Sequence, residues 1–182
     1  MVWTMAAAQK STNTADEEKA RPGNVQVVEF VLGNEHFAID LFDVKEVVEY
    51  TRITKIPNTP PYVKGIIDLR GEITTIIDLK LNMNITENEE ISDENRRIIV
   101  LDDTIMRSKI GIMVDDVSSV STFSPSQVEK TSAAVNSDDT NILGIIRKKI
   151  RIRDKENTEL IIWIDIRQIL NTTDIAKTGS TR

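Results

Sequence analysis

From Val25 onward, short apolar runs rich in Val and Ile alternate with turn residues, a pattern of strands rather than long helices. VQVVEFVL and EHFAIDL flank Gly33-Asn34 and predict a β-hairpin, because two β-rich runs are joined by two residues that tolerate a tight turn. Behind it, Val44, Val47 and Val48 recur at helical spacing, with Asp43 as a candidate N-cap and Glu46 three residues later. That spacing predicts a helix of about two turns. Pro57, Pro60 and Pro61 fix φ and remove backbone donors, so residues 56 to 62 are expected to run as an extended connection. Apolar runs at Gly65 to Leu69 and Ile73 to Leu79 then bracket Arg70-Gly71, which predicts a second hairpin with Arg70 at its tip and Gly71 where φ > 0 is needed. LKLNMNI after Asp78 fits another short helix, and the acidic TENEEISDEN at 86–95 reads as a connecting loop.

After that loop the pattern starts again. FAIDLFDVKEVV resembles IGIMVDDVSSVS, with Asp43-Val44 opposite Asp116-Val117 and Val47 opposite Val120. KGIID matches LGIIR, Gly65 opposite Gly144, and TIIDLKLNM matches IWIDIRQIL, Asp78 opposite Asp165. The spacing between matched positions grows along the chain, as expected if the second half carries longer loops. Those loops are assigned to the polar 124–141 and to a basic arm with a turn at 147–159. The repeat predicts a mainly β fold of two small units of about five strands each, over about 25–85 and 95–171, with an apolar seam between them and possible strand exchange. Residues 1–24 and 172–182 are small, polar and charged and read as disordered tails.

Composition narrows the chemistry. Only eight residues are Phe, Trp or Tyr, so the core must be built from Ile, Val and Leu, which suits strands. There is no cysteine, which excludes disulfides, thiolate metal sites and cysteine nucleophiles, and the single histidine, His36, excludes a histidine cluster. His36 reads as an ordinary strand side chain. The Asp residues lie at strand ends and turns, where Asp caps helices and closes turns, and no phosphate-binding loop, GxSxG or HExxH is present. The sequence therefore points to a protein without catalysis, cofactor or metal. A net charge of −6 argues against a general nucleic-acid footprint. No apolar run is long enough for a signal peptide or a membrane span, so a cytoplasmic location is expected.

Two features remain open to functional readings. Arg70, held at a turn tip by its strands, can offer a planar fork of donors to a partner's carboxylate, or it is simply a solvated turn residue. The basic run Arg147 to Arg153 is the sole argument for a small RNA-binding barrel, and it lacks interleaved aromatics for base stacking.

The segments FVLGNEHFAIDLFDVKEVV and IPNTPPYVKGIIDLRGEITTIIDL resemble the CheW family of chemotaxis coupling proteins. The resemblance spans about residues 25–171. Its most specific parts are Leu32-Gly33, Ile56 to Asn58, Lys64-Gly65, Leu69 to Gly71 and Ile77 to Leu79, followed more weakly by Ile112 to Val117 and Trp163 to Leu170. Asp68 stands where the family usually has Asn, Ala38 where it has Gly, and Thr75 where Pro is frequent. The resemblance implies two SH3-like five-stranded β-barrels with short helices, and a non-catalytic adaptor between a chemoreceptor's cytoplasmic tip and the regulatory domain of the chemotaxis histidine kinase. It implies receptor contacts at Arg70, Val44, Glu46, Gly65, Val117 and Val120, and kinase contacts whose residues the sequence does not specify. Membrane association would come only through the receptor. The alternative is a small β-barrel scaffold or RNA-binding module unrelated to chemotaxis.

Overall fold

Eleven strands, two short helices and two 3-10 turns make up the computed structural model, which describes residues 23–85, 94–130 and 141–173. The tails and the acidic loop expected at 86–95 thus fall largely outside the described residues. The first hairpin forms as its pattern predicts, β1 (Val25–Leu32) pairing with β2 (Glu35–Asp40) around Gly33 in the left-handed region. So does the second, β4 (Val63–Leu69) with β5 (Glu72–Asp78). The helix predicted from Asp43 does not form. A 3-10 turn at Leu41–Asp43, capped by Asp40 accepting from the Phe42 amide, leads instead into strand β3 (Val44–Glu49). Three β-branched valines in six residues suit a strand, two helical turns cannot offset their nucleation cost, and a ready partner exists in β6 (Arg97–Leu101).

The chain continues through β7 (Ile110–Val114), β8 (Asp116–Phe123), a 3-10 turn at Pro125–Gln127, β9 (Val128–Lys130), β10 (Ile142–Ile152) and β11 (Lys155–Ile164). Two expectations fail here. The polar segment 124–141 contains strand β9, which three residues are too few to reveal by alternation. The basic arm is also no loop, because β10 and β11 pair without a break from Ile142/Ile164 to Ile152/Lys155 apart from one bulge at Ile142/Gly144.

One sheet has the order β8-β1-β2-β11-β10-β9 and the other β3-β6-β7-β5-β4. Each sheet draws strands from both halves of the chain: β1–β2 joins β8–β11, and β6–β7 joins β3–β5. The fold is mainly β, with two SH3-like units, one enlarged to six strands by β9. Each unit has a small apolar filling, around Val27, Ile146 and Ile161 in the first and Ile67, Ile98 and Met113 in the second. The largest cluster lies in the seam, where Phe30, Leu32 and Ile39 meet Ile99, Ile112 and Leu170.

The repeat has physical causes. Asp78 caps helix α1 (Leu79–Asn82) by accepting from the Leu81 amide, and Asp165 caps α2 (Ile166–Asn171) by accepting from that of Gln168. Gly65 and Gly144 each sit at a strand bulge where another backbone passes too close for a side chain, Thr54 over Gly65 and Glu129 over Gly144.

Two buried polar groups join the units. Asp115, in the corner between β7 and β8, accepts from Lys80 Nζ at 2.6 Å and from the Gly33 amide at 2.7 Å, while its own amide donates to Val31. Both side chains of the ion pair are at most 3% exposed. One carboxylate thereby ties α1 and the β7–β8 corner to the turn of the first hairpin, across the two sheets.

Candidate functional site

β3 and β4 are the opposite edges of the five-stranded sheet, and the sheet closes when those edges meet. Backbone bonds do part of this, since Thr54, downstream of β3, exchanges bonds of 2.9 and 2.8 Å with Ile66 of β4. Side chains do the rest. Arg70, at the β4–β5 turn, donates from both terminal nitrogens to Glu46 of β3, at 3.0 and 2.8 Å. The pair bridges the two edges over the open end of the barrel.

The turn is built for this. Arg70 and Gly71 both have positive φ, 55° and 83°, the twist that a two-residue hairpin turn needs, and Asp68 accepts from the Gly71 amide at 2.7 Å. The Arg70 side chain remains 74% exposed while Glu46 is only 24% exposed. Beneath the pair is a cleft of about 260 Å³ whose floor is apolar (Leu69, Val100) and whose rim is charged (Lys45, Glu72, Lys109). At the rim Lys45 bonds Asp103 at 2.9 Å, and Lys109 pairs with Glu72. The bond to Asp103 raises the affinity of Lys45 for its proton, and the same bond holds the Asp103 carboxyl below its usual range. The arrangement contains charge and shape but no nucleophile paired with a base. It can hold a protein surface that presents a carboxylate or an apolar side chain.

Of the six residues singled out from the sequence, Arg70 and Glu46 are in direct contact, although no sequence feature links them. Val44 and Val117 are half-buried and pack against the seam cluster, so they line the junction of the units rather than the Arg70 cleft. Val120, in edge strand β8, is well exposed. Gly65 is buried under Thr54 and presents no surface.

Phe42 was not anticipated from the sequence. It stands on the 3-10 turn between β2 and β3, 77% exposed, beside Asp43, whose Oδ1 accepts from Arg167 Nε at 2.8 Å. An aromatic side chain left in water next to a fixed ion pair has the character of an interface anchor. The sequence signal available was a Phe set between Asp40 and Asp43, where an inward-facing residue is not expected.

Among the described residues, no group of three or more His, Asp or Glu side chains is placed to hold a metal ion, and no helix is long and apolar enough to cross a membrane. A family model, the CheW-like domain, matches residues 26–174. Chemotaxis protein CheW of Bacillus subtilis is 32% identical over 128 residues, which is 70% of this chain and 80% of that protein. That of Klebsiella aerogenes is 31% identical over 150 residues, covering 81% and 82%. Among solved structures, the scaffolding protein TtCheW from Thermoanaerobacter tengcongensis superposes with a TM-score of 0.65 at 33% identity, over 82% of this chain and 94% of that one.

Proposed function

This chain belongs to the CheW family of non-catalytic chemotaxis scaffolds, and from that premise we propose that it couples the cytoplasmic tip of a chemoreceptor to the regulatory domain of the chemotaxis histidine kinase. It acts in the cytoplasm and meets the membrane only through the receptor. The observation that carries this reading is the Arg70–Glu46 pair, a fixed but exposed guanidinium at the open end of a barrel. Its partner approaches a fork already oriented by Glu46, so little side-chain entropy is lost on binding. The receptor tip, a helical hairpin, engages Arg70, Glu46 and Phe42, with Val44 and Val117 at the seam and Val120 exposed on edge strand β8. Gly65 contributes through the backbone path it permits. Kinase contact falls to the six-stranded unit, at residues not yet specified.

Capture experiments test the reading. The purified chain should retain both a receptor-tip fragment and the isolated kinase regulatory domain. Val44→Asp is a poor probe, because Val44 packs on the seam cluster and an aspartate there also disturbs the core. Phe42→Ala is the better variant: it should weaken receptor capture at least about tenfold, the usual loss at an aromatic anchor, with an unchanged far-UV spectrum and undiminished kinase capture. Retention of neither partner by the unaltered chain would favour a scaffold of another kind.

A further inference from the structure

The β10–β11 hairpin overhangs the sheet it belongs to. On one side β9 pairs only with Gly144 to Ile146, because beyond Val128 the chain turns away through Pro125–Gln127. On the other, β2 pairs only with Ile161 to Trp163, because it begins at the Gly33-Asn34 turn. From Arg147 to Leu160 the hairpin is therefore a two-stranded ribbon whose edges no other described strand pairs with, about 20 Å long at the rise of a strand. Its end is a tight turn in which Arg153 and Asp154 both have positive φ.

The two edges differ in charge. Along β10 the overhang reads Arg147, Lys148, Lys149, Ile150, Arg151, Ile152, with four cations and no acid, while β11 presents Glu156, Asn157, Thr158 and Glu159. Cross-strand pairing puts Arg147, Lys149 and Arg151 on one face, opposite Leu160, Thr158 and Glu156. Lys148 faces the other way and reaches the buried Glu29 at 2.6 Å. Lys149 is matched by Glu156 and Arg147 by Glu129, but among the described residues no carboxylate pairs with Arg151. This is a basic ladder with a step every second residue beside a row of backbone groups that no described strand pairs with, on a chain whose net charge is −6.

We propose that the β10 edge from Arg147 to Ile152 binds an extended acidic segment of a partner protein by strand addition, with acidic side chains at alternate positions beside Arg147, Lys149 and Arg151. Main-chain bonds give the attachment and the ladder gives the register and the choice of edge, since a strand added to β11 would meet Glu156 and Glu159. A nucleic acid fits less well, because the ribbon has no aromatic residue to stack a base. An anionic membrane fits less well too, because the rest of the chain is acidic and would be repelled from it. A second copy pairing through the same β10 edge would set like charges side by side. The site lies in the six-stranded unit and does not depend on the Arg70 cleft.

Nuclear magnetic resonance titration of the full chain with a synthetic peptide alternating Glu and Thr tests this. The expected result is a perturbation of amides 147 to 152 and their slowed hydrogen exchange, an affinity that falls as salt is raised, and no response to the same peptide with Lys in place of Glu. Lys149→Glu/Arg151→Glu should weaken binding at least about tenfold, two opposed charges being replaced by two like ones. Should that variant fail to fold, the salt dependence and the Lys-peptide control on the unaltered chain decide. Perturbation elsewhere, binding that survives high salt, or binding only to phosphatidylserine vesicles or polyuridine RNA would overturn the proposal.

Discussion

Asp115→Ala should cost about 3–5 kcal/mol of stability, because it removes a buried charge-assisted bond to Lys80 and leaves the Gly33 amide without its acceptor. Removing the ion pair as a whole should be far milder. Lys80→Met/Asp115→Leu removes both charges while keeping volume, and buried pairs so replaced are often neutral or better. A comparable deletion at the surface, Glu156→Ala opposite Lys149, should cost less than about 1 kcal/mol. Urea unfolding of the three variants checks the ordering. A loss below about 1 kcal/mol for Asp115→Ala would mean that the junction opens to solvent and that the pair is no clasp.

Gly65→Ala is expected to be nearly as damaging. A β-carbon there would fall 2.8 Å from the Thr54 carbonyl carbon and closer still to its oxygen, and the backbone at φ 144° is one that side chains rarely adopt. The obstacle is a backbone fixed by its two bonds to Ile66, so it cannot step aside as a flexible side chain would. Overpacking against such a wall plus an unfavourable φ amounts to about 3 kcal/mol or more. Gly71→Ala is the control, since no atom lies within 4 Å of its missing β-carbon, and only the positive φ is felt, at about 1 kcal/mol. Denaturant midpoints separate the two. Any loss of receptor binding in Gly65→Ala should track its loss of folded protein, because the residue is buried under Thr54.

Much of this architecture could be read from residue patterns. Both hairpins, the helix after Asp78 and the equivalence of Asp78 with Asp165 follow from local chemistry, in which turns need Gly or Asn and helix starts need a side-chain acceptor. The segment Val44–Glu49 was misleading because VKEVVE satisfies a helical spacing and a strand composition at once, and only the distant β6 decides between them. Strand exchange between the units was foreseen as possible, but which strands exchange was illegible for the same reason, being settled by pairings between the halves. The basic arm hid because closely spaced cations look like a solvated loop until the acidic and polar row of β11 is found in register beside them. Lys80 gave no sign of burial, since a lysine behind a strand is ordinarily exposed. Glu46 and Arg70 were each noticed separately, but their contact exists only because the sheet curls until its edges touch.

That contact is also the point at which the proposed coupling is most exposed to test. Titration calorimetry of a receptor-tip fragment into the unaltered chain and into Arg70→Glu, at low salt, measures it. Arg70→Glu sets two carboxylates facing each other at the barrel mouth and removes the donor fork. Because the Arg70 side chain is 74% exposed, folding stability should change by less than about 1 kcal/mol. The expected result is affinity reduced at least about tenfold, with partial recovery when an acidic receptor residue is changed to a basic one. An Arg70→Glu chain that binds the receptor tip as tightly as the unaltered chain would contradict the account and leave Arg70 only its pairing with Glu46.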